Sequence, residues 1–240
     1  MDLEDYNTIS IAQATQLQNE LRKQLILSPF QSTITTIASA DISFNKYETI
    51  VYAGVVILSY PELFPISCAL AIAETNFPYV SGYLAFRELP ALLKAWDMLP
   101  TKPDILVVDG NGIVHPRRMG IASHFGVVAN QPTIGAAKTL LCGKYTEPAQ
   151  SIKSHTAITD KTEQIGWALR SKNAVAPVFV SPGHLVSMED SLKIMMQCLG
   201  RYRIPEPTRR AHEMVNKFRI GQMKEGYHSL GTGSGDYALF

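Results

Sequence analysis

Three carboxylates in this chain occupy positions where an unpaired charge is costly. Asp109 follows the aliphatic run Ile105-Leu106-Val107-Val108 and precedes Gly110-Asn111-Gly112. A short uninterrupted aliphatic run reads as a strand buried on both faces. Asp109 therefore stands at a strand's carboxyl end, beside glycines that let backbone come close to a ligand. In open α/β sheets, ligands bind outside the carboxyl ends of the strands. Asp41 comes near the end of a second such segment, the β-branched stretch Thr33 to Ala40. Glu88 lies in a helical pattern over 81–96, with Leu84, Leu92, Ala95 and Leu99 around it on the apolar arc and Arg87, Lys94 and Asp97 on the other side. A Glu aimed at a core is rarely unpaired. Acids from three separate elements match the oxygen-donor chemistry of a hard-cation site. The same residues also fit a turn-capping Asp109 and separate salt bridges, and the sequence alone leaves these alternatives open.

Such acids must be carried by a sheet with helices packed on it. Residues 9–27 place Leu17, Leu21 and Leu25 on one helical stripe that Pro29 ends. Strand patterns follow at 33–42, 49–58 and 65–73, and Asn45-Lys46-Tyr47-Glu48 suits a hairpin loop between the first two. The Glu88 helix, which Pro90 can kink or restart, leads to the Asp109 strand, a helix at 119–129 and a short strand at 132–135. Strand patterns at 155–159, 165–170 and 178–180 precede helices at 187–199, with Ser187 as its cap, and 208–218. Hairpin strands first, then alternating helix and strand, predict an α/β fold: a central mixed sheet with an antiparallel three-strand meander, flanked by helices. One domain over 1–220 is expected, with 221–240 a flexible tail that contains Gly231-Thr232-Gly233-Ser234-Gly235.

With 240 residues, 46% of them hydrophobic, the chain can bury a sizeable core. A net charge of +1 excludes neither nucleic acid nor small-molecule partners. Arg201, Arg203, Arg209 and Arg210 lie close together, and Arg117 and Arg118 follow Asp109, so each cluster fits either phosphate binding or a solvated face. Cys68, Cys142 and Cys198 have neither zinc-ligand spacing nor a disulfide framework. The acidic amino terminus is unlike a signal peptide, and no apolar stretch reaches spanning length. No membrane partner and a reducing, cytoplasmic location are expected.

An acid on the first strand of a three-strand meander, with another at the end of a later parallel strand, is how ribonuclease H-like nucleases build their metal site. Specific stretches carry the likeness further: Ala40-Asp41-Ile42-Ser43-Phe44, Pro78-Tyr79-Val80-Ser81-Gly82, Phe86-Arg87-Glu88 and Val108-Asp109-Gly110-Asn111-Gly112. His115-Pro116-Arg117-Arg118, Gly120-Ile121-Ala122-Ser123-His124, Pro132 to Lys138 and Ile204 to Arg209 follow in order. Together these stretches resemble the endonuclease V family over roughly residues 10 to 215.

The resemblance implies a ribonuclease H-like fold and an endonuclease of DNA repair. It implies recognition of deaminated adenine (inosine) and hydrolysis of the second phosphodiester 3′ to the lesion, with Mg²⁺ as cofactor and Mn²⁺ as a substitute. By matched position it assigns Asp41, Glu88 and Asp109 to the metal site, His212 to a further active-site position and Lys138 to the scissile phosphate. Tyr79 matches a wedge that fills the space beside the displaced base. Pro78, Val80, Gly82, Gly110, Ile121 and Ala137 fall on the wedge and base-pocket segments. One departure stands out: the wedge motif usually has proline where this chain has Ser81, which leaves that loop less rigid unless Ser81 caps the next helix. Inosine-containing DNA is the expected partner, with inosine-containing RNA or binding without cleavage as the alternatives, and a monomer is expected.

Overall fold

The structure, a computed structural model, describes residues 5–45 and 48–231. Strands β1 (Thr36–Ser43), β2 (Ile50–Ser59) and β3 (Pro65–Glu74) form the antiparallel meander. β4 (Ile105–Val108) lies parallel to β1, and β5 (Thr133–Ala137) parallel to β4. Beyond β5 the sheet turns antiparallel again. β6 (Lys144–Tyr145), β7 (His155–Asp160), β8 (Glu163–Leu169) and β9 (Val178–His184) complete one side, and β10 (Gly226–Ser229) the other. The order is β10-β3-β2-β1-β4-β5-β9-β8-β7-β6.

Helices cover both faces, which is why the central strands are apolar on both sides. Helices α1 (Asp5–Thr8), α3 (Leu84–Asp97) and α4 (Ile121–Ala129) cover one face, around Ala38, Ala40, Leu106 and Val108. Helices α5 (Met188–Gln197) and α6 (Glu206–Arg219) cover the other, around Ile37, Val56, Ile105 and Val107. Alternation along β1 therefore sends Ala38 and Ala40 toward α3, and Ile37, Ser39 and Asp41 toward α6.

Several expectations need adjustment. Helix α2 is Ile11–Arg22, capped by a Ser10–Gln13 capping box, and stops well short of Pro29. The chain beyond it bonds elsewhere: the Ile26 amide donates to His184 Nδ1, and the Leu185 amide to the Ile26 carbonyl. The buried residues of α2 are Ala14 and Gln18 rather than the leucine stripe. β1 starts at Thr36, because the Thr35 and Thr36 amides are both taken by the Asp104 carboxylate. Helix α3 runs through Pro90 without ending. Ser187 caps α5 as expected, accepting from the Asp190 amide. The expected tail from 221 contains a strand: β10 pairs antiparallel with β3, Tyr227 opposite Ala69. Lys46 and Tyr47 of the expected hairpin loop, and residues 232–240 of the expected tail, lie outside the described residues. Cys68, Cys142 and Cys198 are free thiols.

Candidate active site

Strand register brings two of the acids together. β1 and β4 run parallel with Ala40 opposite Val108, and the Asp109 amide donates to the Ala40 carbonyl at 3.1 Å. The next residue on each strand is an aspartate, so Asp41 and Asp109 stand at the carboxyl ends of neighbouring parallel strands. Lys138 follows β5, the next strand over, and its ammonium lies 2.5 Å from Asp109 Oδ2. The Lys138 carbonyl is held by the Arg203 guanidinium at 2.9 Å. From the opposite face of the sheet, α6 places His212 Nδ1 2.9 Å from Asp41 Oδ2, while Asn216, one turn on, lies 3.0 Å from His212 Nε2. A neutral ring with its proton on Nδ1 satisfies both partners: Nδ1–H donates to Asp41, and Nε2 accepts from the Asn216 amide.

Glu88 completes the group from α3. Its carboxyl is pushed up to about 8, first by burial and then by repulsion from Asp41 and Asp109. Some of its surface faces a cleft, yet the carboxyl itself is packed deeply enough for desolvation to dominate. Asp109 is also raised, by burial and by Asp41, against the opposing pull of Lys138. His212 is raised, chiefly by its hydrogen bond to Asp41. Asp41 and Asp109 thus act on Glu88, and Asp41 on Asp109, as like charges, while the Lys138 ammonium lies against Asp109 as a countercharge and His212 holds Asp41 by a hydrogen bond. Among the described residues, no three His, Cys, Asp or Glu side chains are already arranged around a single ion position. The Lys138 ammonium occupies Asp109 Oδ2, and the His212 ring occupies Asp41 Oδ2. The donor chemistry, crowded and partly buried carboxylate oxygens at the end of a sheet, still fits a hard divalent cation.

A cavity of about 350 Å³ opens beside these acids. Glu88 and Asp109 line one part of it, with Tyr79, Gly82, Gly110 and Ile121 from the expected pocket set. Gly110 is needed here, since a Cβ would come within 2.5 Å of the Ile121 side chain. Pro78 and Val80 do not line this cavity; Pro78 faces a second one across Tyr79. Ala137 also lies off it, buried beside Ile113 and Val114. Tyr79 itself is 64% exposed. The sequence reading missed Gln18, Met119 and Leu140 on the cavity wall and Asn216 behind His212. Gln18 and Asn216 sit in helical patterns with no local signal beyond a polar residue. Ser81 is exposed and does not cap α3; Tyr83 takes that position without a side-chain cap bond. Most of the basic clusters are tied into the fold. Arg118 pairs with Asp160 and Glu163, Arg209 and Arg210 pair with Glu206, and Arg203 bonds three carbonyls.

An antiparallel meander joined to parallel strands, with acids where β1 and β4 end and helices on both faces, is the architecture of ribonuclease H-like nucleases. The comparisons specify the family within that class. The endonuclease V family model matches residues 19–213. The endonuclease V of Trichormus variabilis is 42% identical over 209 residues, 87% of this chain and 95% of its own. The crystal structure of endonuclease V from Streptomyces avermitilis superimposes with a TM-score of 0.84 at 36% identity, covering 89% of this chain and 94% of that one. That of Ciona intestinalis endonuclease V, in complex with a 24-mer DNA containing an inosine followed by a ribo-adenosine, gives a TM-score of 0.77 at 30% identity over 89% and 99% of the chains. The chain belongs to the endonuclease V family and is an endonuclease.

Proposed function

We propose that this protein is a repair nuclease that nicks nucleic acid at inosine, hydrolysing the second phosphodiester 3′ to the lesion with Mg²⁺, for which Mn²⁺ substitutes. The observation that carries the reading is one cavity bordered by acids on one side and by glycine-backed loops on the other, with Tyr79 exposed at its edge. Inosine-containing DNA bound to the Ciona relative supports the choice of substrate.

Asp41, Glu88 and Asp109 are the residues that would hold the cation. When bound, it supplies Lewis-acid polarisation of the phosphoryl oxygen and a bound water of lowered pKa. Lys138 is a mobile countercharge: as an ammonium at Asp109, it can turn to a phosphate oxygen and stabilise the developing negative charge. His212 holds the Asp41 carboxylate through Nδ1 and is itself held by Asn216, so Asp41 has a fixed orientation toward the reacting phosphate. At the other end of the cavity, backbone N–H groups of the Gly82 and Gly110 loops donate to the carbonyl that distinguishes inosine from adenosine. Adenine presents an amino group there and leaves those donors unpaired. The base must leave its stack to be read, at a cost of a few kcal/mol, and Tyr79 fills the space it vacates. Pro78 and Val80 shape the turn that carries Tyr79, and Ala137 supports the β5 end behind Asp109.

The protein acts as a monomer in the cytoplasm. Among the described residues no helix is long and apolar enough to cross a membrane, and three free thiols suit a reducing compartment. The test is incubation with matched inosine-containing and unmodified DNA and RNA strands plus Mg²⁺, with product ends mapped. Nicks immediately after the 3′ neighbour of inosine, absent from unmodified strands, are expected. Equal cutting of unmodified strands, or none of any strand, would overturn the reading. Because the Ciona relative's DNA carries a ribo-adenosine after the inosine, the set includes that mixed strand.

A further inference from the structure

The cavity wall contains a carbonyl with more donors than it has lone pairs. Gly82 O accepts from Gln18 Nε2 at 3.0 Å, His115 Nε2 at 2.9 Å and Arg117 Nη2 at 2.8 Å. These donors reach it from two separate parts of the chain. Gln18 is on α2 and is fully buried. It uses its whole amide: Nε2 also donates to the Met119 carbonyl at 3.3 Å, and Oε1 accepts from Arg117 Nε. His115 Nδ1 accepts from the Arg117 and Met119 amides at 3.1 and 3.3 Å, which leaves the proton on Nε2, facing Gly82. Arg117 also stacks over the Tyr83 ring at 4.2 Å, and Tyr83 in turn hydrogen-bonds Thr15 of α2 at 2.7 Å.

All of this converges on a turn closed by a single backbone bond, from the Tyr83 amide to the Val80 carbonyl at 3.0 Å, with neither a proline nor a side-chain cap of its own. Gly82 has φ +80°, and a Cβ there would lie 3.2 Å from Arg117. Ser81 stands where a proline would fix φ, and α3 begins without a side-chain cap. A buried glutamine with every amide group paired across two loops costs little to keep and much to disrupt, because removing it strands buried partners.

We propose that Gln18 is a positioning residue for base recognition: through the Gly82 carbonyl, and together with His115 and Arg117, it holds the 79–83 turn in the shape that a proline would otherwise impose. It acts through the loop and touches no reacting atom. This rests on the inosine reading above for its functional consequence, but the loop clamp itself can be measured without nucleic acid.

The test uses the full chain with Gln18→Met, which keeps the length of the side chain but removes its hydrogen bonds, and Gln18→Ala as a second variant. Each is combined with Ser81→Pro. The first readout is hydrogen exchange in the peptide spanning 79–86 without substrate. Gln18→Met should speed it at least tenfold, and Ser81→Pro should restore at least half of that change on a logarithmic scale. The second is single-turnover nicking of inosine and unmodified duplexes. The rate ratio between them should fall about tenfold in Gln18→Met and recover with Ser81→Pro, while melting temperatures confirm that the variants are folded. Unchanged exchange in folded Gln18→Met, or loss that proline fails to restore, overturns the clamp. If Gln18→Met does not fold, the same outcomes are read from Gln18→Ala; if neither folds, Gln18 is a fold-wide structural residue and the proposal falls. Exchange that behaves as expected in a protein that ignores inosine would leave the clamp standing and sink the inosine reading instead.

Discussion

Replacing Glu88 by glutamine should stabilise the metal-free protein while abolishing its activity, and the gain should depend on pH. The Glu88 carboxyl ionises at about 8 in the fold against 4.5 unperturbed. A carboxyl raised on folding leaves stability intact below 4.5 and costs progressively more as pH rises from 4.5 to about 8, after which the cost is constant. At 1.36 kcal/mol per pH unit, the full cost at pH 7 is about 3 kcal/mol. Solvent in the cleft screens part of it, leaving about 2 kcal/mol. For a chain of this size that corresponds to roughly 4–8 °C in melting temperature. Glutamine keeps the shape and cannot ionise. Thermal unfolding of both proteins in chelator should therefore give a Glu88→Gln advantage of about 4–8 °C at pH 7, more at pH 8, and under about 2 °C at pH 5. Mg²⁺ should raise the melting temperature of wild type more than that of the variant, since binding to the native state stabilises it. Nicking by the variant should fall at least a hundredfold. A Glu88→Gln protein that is no more stable than wild type at pH 8, or whose advantage does not change with pH, would refute the crowding argument.

Further outcomes follow from the same geometry. Asp41→Ala and Asp109→Ala should each nearly abolish nicking while melting cooperatively, and chelation should silence wild type until Mg²⁺ or Mn²⁺ is returned; activity persisting in excess chelator contradicts this. Tyr79→Ala should slow single-turnover nicking of inosine duplexes roughly tenfold to a hundredfold, with a smaller loss on single strands, because aromatic stacking is worth about 1–3 kcal/mol per base; equal losses on both would return Tyr79 to loop packing. Burial pushes His115 down to about 4 and His124 down to about 3, so both fold neutral, with stability complete above about 6.5 and lost as pH falls toward those values. In the Glu88→Gln background, where the most strongly raised carboxyl is gone and only the raised Asp109 and His212 oppose the loss, denaturant titration should show a net loss of up to roughly 4 kcal/mol between pH 7 and pH 5, and a flat profile would contradict it. Reducing agent should change neither melting temperature nor activity, because the three cysteines are free; a clear fall in melting temperature on reduction is the opposing result.

Local pattern determined much of this protein. The aliphatic run before Asp109, the β-branched run before Asp41 and the apolar arc around Glu88 depend only on strand and helix periodicity, and each acid lies on the expected element. The ordered motifs sufficed for the family, since spacing along a chain survives where contacts are invisible. Tertiary structure decided which residues meet. That Asp41 and Asp109 stand side by side depends on β1 and β4 pairing parallel in one register, and a slip of one residue would send one of them to the other face. That α2 stops at Arg22 was hidden because the partners of the next segment, His184 and Leu185, lie about 160 residues away. β10 was read as tail because a short polar strand has no signal until a sheet edge offers it hydrogen bonds. Gln18, outside every motif, carries no mark of its role. Its meaning comes from the carbonyls of Gly82 and Met119, which only the folded chain brings within reach of one amide.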